Sequence, residues 1–443
     1  SMQAALIPII AEDFGILNKP AQMDLLNFAA SITPLFSAAC IVAAGGLADR
    51  FGRMRFAIIG VILSVIGSAV VALSPNVEIL IIGRGLQGIS AACIMPSTIA
   101  LMKTWFEGKK QATALTWWSV GSWGGSGFCA ILVGLIEPSL GWKAIFWISA
   151  GVAILGLVLM LGTPESKAQM NDKKFDTLGA AIFIAALICL VLAVSKGRSW
   201  GYTDVKFIGT MGAAIVGLVA FYFVEKSAPG KNVSQLVDFS LFKSRGYFGA
   251  TLSNFLLNAI AGAMVIVNMY MLQGRGLSTG DVATMTITYA ISVLALLPVG
   301  QKILFIFGGR LPMVIGTIIT FMGVVLMSMT SIESLMTYKI LVMVGYAMFG
   351  LGLGIYATPS TFTAVSAAPQ EKAAVAAGIY KLASSLGGAI GVALSLAVYS
   401  AFDDIHQAGA AGLWLNVGFG VAALMSILFI IPAQKKMQEA TAS

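Results

Sequence analysis

Long apolar stretches, separated by short segments that carry most of the charge, dominate the pattern of this 443-residue chain. A helix needs about 20 residues to cross roughly 30 Å of hydrocarbon. Thirteen stretches reach or approach that length, at 21–46, 56–74, 78–102, 112–136, 144–161, 177–195, 207–224, 247–272, 282–300, 312–330, 338–364, 374–400 and 412–432. The pattern predicts an all-α polytopic membrane protein.

Residues 1–11 (SMQAALIPIIA) are apolar as well, but they are too short to cross a membrane. No charged flank precedes them, so we expect them to belong to a truncated first helix. With this helix the prediction becomes fourteen spans.

The composition excludes several classes of protein. Apolar residues make up 58% of the chain and charged residues 10%, with a mean hydropathy of +0.91, whereas a soluble protein averages about 25% charged residues. The net charge of +8 comes from thinly spread basic residues, so we expect no nucleic-acid partner. Four scattered cysteines and the single His406 offer no ligand set, so we expect no metal, no cofactor and no hydrolytic enzyme.

The basic residues also predict an orientation, because short cytoplasmic loops retain Lys and Arg. If the first helix runs outward, 19 of the 27 basic residues fall on the inner side and 7 on the outer side, and Arg84 remains within a span. This distribution predicts that both termini are cytoplasmic.

An internal repeat predicts the domain organisation. An offset of 263 residues carries Pro96-Ser97-Thr98 onto Pro359-Ser360-Thr361, Lys109 onto Lys372, and Gly124-Gly125 onto Gly387-Gly388. The alternative is a chance match in a biased composition. The repeat predicts a six-helix bundle at 1–162, two inserted spans at 163–245, a second six-helix bundle at 246–433 and a tail at 434–443.

The longest connector, 225–246, has Leu236, Phe239 and Phe242 at helical spacing. An amphipathic segment of this kind is typical of a short interfacial helix on the inner membrane surface.

The most specific motif is GGLADRFGRMR, from Gly45 to Arg55. Asp49, flanked by Arg50 and Arg53, can pair with a cation or a helix N-terminus in one conformation and release it in another. Glycines at 45, 46 and 52 allow a tight turn and close helix packing. We predict a conformational latch formed by Gly45, Asp49, Arg50, Gly52 and Arg53. The alternative is a basic cytoplasmic loop with an incidental aspartate.

This motif resembles the signature between spans 2 and 3 of the major facilitator superfamily. The likeness extends along the chain through RGLQGISAACIMPST, WSVGSWGGSG, GWKAIFWIS and LGLGIYATPST, in spans 4, 5, 6 and 12. With fourteen spans the chain is similar to the drug:proton antiporter branch, and especially to Nor-type quinolone and multidrug exporters of Gram-positive bacteria. One difference is that span 5 carries Gly121, Gly124, Gly125 and Gly127 without the proline of the family's antiporter motif.

The resemblance implies proton-coupled efflux of amphipathic compounds, such as fluoroquinolones and cationic dyes, by rocking of the two bundles. It implies a bacterial plasma membrane location, protons as the coupling ion, and no other cofactor; we expect a monomer. The alternatives are a proton-coupled exporter of one dedicated metabolite or siderophore, and a non-transporting membrane sensor.

Proton coupling needs ionisable groups near the hydrocarbon. The resemblance ties the span-4 arginine, Arg84, to proton transfer, although Arg84 could instead extend to the outer surface. A coupling carboxylate needs a poorly solvated site that raises its pKa. The candidates are Asp24, Glu137 and Glu78, each of which could also be an ordinary interfacial residue.

Polar and aromatic residues within spans are candidates for lining the substrate cavity. They are Asn27, Gln87, Trp123, Asn254, Asn258, Asn268, Tyr346, Tyr356 and Tyr380, with Lys381 beside them. The alternative role for each is hydrogen bonding between helices.

Overall fold

A computed structural model of the chain describes residues 2–17, 19–167, 174–227 and 233–432. Within these ranges it contains fifteen α-helices. The first six helices are α1 (Met2–Asp13), α2 (Pro20–Phe51), α3 (Arg53–Ala72), α4 (Val77–Trp105), α5 (Gly108–Ser119) and α6 (Gly125–Met160). The π-helix Val120–Gly124 lies between α5 and α6.

Two inserted helices follow, α7 (Thr177–Trp200) and α8 (Val205–Ser227). The remaining helices form the C-terminal part. They are α9 (Arg245–Ala259), α10 (Ala261–Gln273), α11 (Thr279–Phe307), α12 (Arg310–Met327), α13 (Leu335–Ala367), α14 (Ala373–Tyr399) and α15 (Ile405–Ile430).

The helices follow the predicted apolar stretches closely, which confirms the all-α polytopic fold. In the described part of the chain, twelve helices are long and apolar enough to cross a membrane. They account for every predicted stretch except 112–136, which forms α5, the π-helix and the first part of α6. The backbone of α6 breaks at Gly141, where φ is 74°, and this break separates the fifth span from the sixth. Helix α1 has 12 residues, too few to cross alone.

The helices pack as two bundles joined by the inserted pair. Helix α3 packs against α2, α4 and α6, whereas α13 packs against α11 and α12, and α9 packs against α14 and α15. Across the bundles, α14 lies against α2 and α4. Helix α7 packs on α8 and also touches α2 and α14, so the inserted pair lies against both bundles.

The described part of the longest connector is not the predicted interfacial α-helix. Val233–Ser234 forms a short parallel strand pair with Lys174–Phe175, and Phe239–Lys243 is a 3-10 helix. Leu236 is buried, whereas Phe239 is 38% exposed, so the two do not share one face.

A buried carboxylate explains why the chain is extended here. Glu225, at the end of α8, accepts a hydrogen bond from the Leu236 amide at 2.9 Å, and its own carbonyl accepts one from the Gln235 side chain at 3.0 Å. The Leu236 amide and the Glu225 carbonyl are thus paired with side chains, so the connector needs no helix to satisfy these backbone groups.

The same connector reaches both bundles. Leu236 and Phe175 lie over Gly46 of α2, and Asp238 forms an ion pair with Lys372, just before α14. Burial alone raises the pKa of Asp238, but the hydrogen bonds from Lys372 and Ser240 outweigh it, so its pKa lies below the usual value.

We predict that Asp238→Asn lowers the free energy of unfolding by about 0.5–1 kcal/mol at neutral pH, the range of a partly exposed ion pair. Because the pKa of Asp238 is lowered in the folded state, its stabilisation is complete above the unfolded pKa, about 3.9, and is lost as the pH falls through the folded pKa. Unfolding of detergent-solubilised wild type and variant, measured against pH, checks this.

The difference between the two proteins should shrink steadily below pH about 4. A difference that stays constant down to the lowest accessible pH would contradict the assignment. Asp204→Asn, in the connector between α7 and α8, is the matched control, because the carboxylate of Asp204 accepts a local hydrogen bond from the Lys206 amide and, among the described residues, forms no ion pair.

Candidate functional site

The Asp49 carboxylate joins the two bundles. Asp49 lies near the end of α2 and is 2% exposed. Its oxygens accept hydrogen bonds from the backbone amides of Ala374, at 3.1 Å, and Val375, at 3.0 Å, in the first turn of α14. The first amides of a helix have no partner within the helix and carry partial positive charge. The carboxylate therefore sits where a helix N-terminus favours an anion.

Arg53 holds this carboxylate and extends the contact. The residue is 1% exposed, and its Nε donates to Asp49 Oδ1 at 2.8 Å. Its other nitrogens donate to the Thr104 hydroxyl at 2.6 Å and to the Gln370 carbonyl, across the bundles, at 2.6 Å. The guanidinium therefore neutralises Asp49 and adds a second bond to the C-terminal bundle.

Lys103 makes the complementary contact. It lies in the last turn of α4, and its ammonium donates to the carbonyls of Val365, at 2.6 Å, and Ala368. These carbonyls belong to the C-terminal end of α13, where a helix favours a cation. The N-terminal bundle thus places an anion at the start of α14 and a cation at the end of α13.

Two glycines of the motif are required by this geometry. A Cβ on Gly45 would lie 2.6 Å from the Ala374 carbonyl oxygen, so α2 and α14 approach closely only because the residue is glycine. Gly52 has φ 127°, which favours glycine, and the Glu165 carboxylate lies against it. Glu165 accepts bonds from the Met54 and Arg55 amides at 2.9 and 3.0 Å.

Arg50, the remaining residue of the predicted latch, does not take part in these contacts. It is half-buried, and its guanidinium lies 5.6 Å from the centre of the Phe51 ring. Lys103 and Glu165 were not predicted, because their roles depend on which helix ends the fold brings beside them. The sequence identifies Lys103 only as a basic residue of an inner connector.

Arg84 lies inside the N-terminal bundle. It is nine-tenths buried and donates to the Gln87 side chain at 2.7 Å, which in turn donates to the Ser68 hydroxyl at 3.0 Å. The Thr33 hydroxyl donates to the Arg84 carbonyl at 2.9 Å. Arg84 therefore does not extend to the outer surface, and Gln87 belongs to this network.

The acidic candidates differ in their surroundings. Glu78 is exposed in the first turn of α4, an ordinary place for an acid, and Glu137 is half-buried on α6. The side chain of Asp24, on α2, lies outside the described part of the structure. The same holds for the side chains of Asn27 and Trp123 and for the surroundings of Gly124, Gly125 and Gly127. Gly121 is exposed in the π-helix.

Four of the predicted cavity residues meet in one polar cluster within the C-terminal bundle. Asn254 donates to the Tyr380 carbonyl at 3.0 Å and to the Ser384 hydroxyl at 2.5 Å. Asn258 donates to the Asn254 side-chain oxygen at 3.0 Å. The hydroxyls of Tyr356 and Tyr380 are joined through Ser360, at 3.0 and 2.9 Å. We refer to Asn254, Asn258, Tyr356, Tyr380 and Lys381 as the central cluster.

Two other candidates lie apart. Asn268 and Tyr346 hydrogen-bond to each other between α10 and α13. Trp118, which was not predicted, approaches the central cluster from the other bundle, and its ring lies 4.3 Å from the Lys381 ammonium nitrogen. The sequence offered a signal for it, because Trp118 lies one helical turn before Gly121 in the motif of span 5.

The central cluster lines a cavity of about 10 Å³, room for roughly one water molecule. A larger, open cleft of about 430 Å³ lies between the bundles beside Lys103. Among the described residues, no group of three His, Cys, Asp or Glu side chains could hold a metal ion. The site can therefore form polar contacts between the bundles. A drug-sized molecule fits the central cavity only after the bundles separate.

The sequence and the fold both match known proteins. The sequence profile of the Major Facilitator Superfamily matches residues 1–392. The quinolone resistance protein NorB of Staphylococcus aureus strain MRSA252 is 43% identical over 437 residues, which cover 98% of this chain and 92% of NorB. NorB of Staphylococcus aureus strain JH9 has the same identity and coverage.

Two solved structures share the fold. The proton:xylose symporter XylE superposes with a TM-score of 0.67 at 15% identity, over 100% of this chain and 95% of XylE. The human organic anion transporter MFSD10 superposes with a TM-score of 0.65 at 14% identity, over 96% of this chain and 89% of MFSD10. Since the family profile covers most of the chain and the resemblance to Nor-type exporters holds over nearly its whole length, the chain belongs to the major facilitator superfamily.

Proposed function

We propose that this chain exports amphipathic compounds, such as fluoroquinolones and cationic dyes, in exchange for protons. Membership of the family makes it a transporter and not an enzyme. In the proposed arrangement it acts as a monomer in the bacterial plasma membrane, with both termini and the Asp49 end in the cytoplasm. Protons are the coupling ion, and no further cofactor is needed.

The observation that carries this proposal is the 43% identity to a quinolone resistance protein over 98% of the chain. The distribution of basic residues supports the orientation, because most of them lie in connectors at the Asp49 end.

The geometry supports alternating access as the mechanism. At the Asp49 end the bundles meet through hydrogen bonds and charges, beside a small apolar cluster of Ala48 and Ala100 with Ala373 and Ala374. Water can replace the polar partners when the bundles separate. Polar contacts of this kind can form and break within one cycle.

Arg84 supports the proton-coupling part of the proposal. A guanidinium buried within a span is costly unless it has a functional partner. Its bond to Gln87 shows one polar partner, and a carboxylate that gains and loses a proton nearby would change the pairing of this cation. Asp24 and Glu137 remain the candidate acids.

The proposal is tested with purified protein in liposomes that carry a pH gradient. We expect uphill movement of norfloxacin and ethidium that stops when an uncoupler collapses the gradient, and proton release when either compound is added. Transport of neither compound would favour the exporter of one dedicated metabolite, and no proton release with any compound would favour the non-transporting sensor.

We predict that Asp49→Asn reduces the transport rate by at least about tenfold, because the neutral amide loses charged hydrogen bonds to α14 and leaves Arg53 without its carboxylate partner. Spin labels at Lys110 and Lys302, exposed residues of the two bundles, should report a longer distance in the variant. Asp13→Asn is the control, since Asp13 pairs with Lys143 inside one bundle. Equal effects of the two variants would argue against the latch.

We predict that Gly45→Ala destabilises the closed arrangement by about 1–3 kcal/mol, because the new methyl group meets the main chain of α14. Gly46→Ala is the matched control, since its methyl group would meet the side chains of Leu236 and Phe175, which can move. The same pair of spin labels should separate in the first variant only. Unchanged distances in both would show that close packing at Gly45 does not hold the bundles together.

A further inference from the structure

Lys381 is the charged side chain of the central cavity. It is 9% exposed, and among the described residues that line this cavity it is the one that carries a charge. The others are amides, hydroxyls and apolar groups: Asn254, Asn258, Tyr356, Thr361 and Tyr380 supply the polar ones. Within the described part of the chain, no Asp or Glu lines the cavity. A substrate that reaches this position therefore meets a positive charge.

Among the described residues, the ammonium of Lys381 faces two aromatic rings and forms no ion pair with a carboxylate. Its nitrogen lies 4.3 Å from the centre of the Trp118 ring and 5.9 Å from that of Tyr380. The ion pairs found in the described part of the chain, all within 4.0 Å, do not include Lys381. The attraction of an aromatic face for an ammonium is weaker than the hydration lost on burial. The partners that the described residues offer this cation therefore do not compensate its burial.

The surroundings of Lys381 indicate the shape of a ligand that could pair with it. Trp118 belongs to α5 of the opposite bundle, and its indole nitrogen donates to the Thr98 hydroxyl at 3.0 Å, which fixes the plane of the ring. Once the bundles separate, a flat aromatic ligand can stack on this ring in place of the ammonium, while an acidic group on its edge pairs with Lys381. The amide of Asn254 is already used in bonds to Tyr380 and Ser384, so it does not compete for the anion.

We propose that Lys381 binds the carboxylate of an aromatic, anionic or zwitterionic substrate. This inference rests on the proposed export function and adds a specificity to it: carboxylate-bearing compounds bind through Lys381, whereas permanently cationic dyes bind in spite of it. When a carboxylate pairs with Lys381, the ammonium no longer depends on Trp118, so the substrate replaces a contact between the two bundles.

The experiment compares norfloxacin with its decarboxylated analogue, which differs only in the missing carboxylate, and with ethidium. Wild type, Lys381→Gln and Lys381→Arg are tested in liposomes. In Lys381→Gln we expect the KM for norfloxacin to rise by about tenfold or more, the effect of losing a charged hydrogen bond. The KM for the analogue should stay within about twofold and that for ethidium should fall, since the repelling charge is gone. Lys381→Arg should retain norfloxacin transport.

Equal losses for norfloxacin and its analogue in Lys381→Gln would overturn the proposal, and so would an unchanged KM for norfloxacin. Lys110→Gln is the control, an exposed lysine away from the cavity. If Lys381→Gln does not reach the membrane, Lys381→Met, of similar length and without charge, takes its place.

Direct binding separates this proposal from the proposed function. Quenching of tryptophan fluorescence measures the affinity of purified protein for norfloxacin and for the analogue without requiring transport. If wild type transports neither compound, the export function fails, while a preference for norfloxacin that disappears in Lys381→Gln still supports the carboxylate site. The absence of any such preference in wild type overturns it.

Discussion

The match between side-chain charges and helix ends holds the two bundles together. Asp49 lies at the first turn of α14, and Lys103 lies at the last turn of α13, so both charges come from one bundle and both partners are main-chain groups of the other. Every helix has unpaired amides at its start and unpaired carbonyls at its end. The C-terminal bundle therefore needs no ionisable side chain of its own at these two contacts, and water can satisfy the same groups once they separate.

The inserted helices extend this contact. The connector after α8 lies against Gly46 of one bundle and pairs with Lys372 of the other, and Glu225 fixes its extended backbone. A chain with only the two bundles would lack this third element at the Asp49 end. The insertion therefore adds stability where the two bundles meet, and the connector must shift whenever they separate.

The sequence predicts the helices well because each apolar stretch must satisfy its own backbone within a membrane. The motif also singles out Asp49, since an acid at a helix end can pair with the N-terminus of another helix. Tertiary contacts limit the rest. Lys103 is one basic residue among many until α13 ends beside it, and the helical spacing of Leu236 and Phe239 does not reveal that Glu225 captures the Leu236 amide. The cavity candidates were polar and aromatic residues within spans, but only the packing of α9, α13 and α14 shows which of them contact one another.

Helix α14 carries both the amide of Ala374 and the ammonium of Lys381. The two lie seven residues apart, about 10 Å along one continuous helix, and almost two full turns separate them. A segment this short and this regular transmits displacement without bending. The proposed carboxylate site at Lys381 and the Asp49 contact at Ala374 thus lie on a single rigid body, so a displacement at one reaches the other without a chain of intermediary residues.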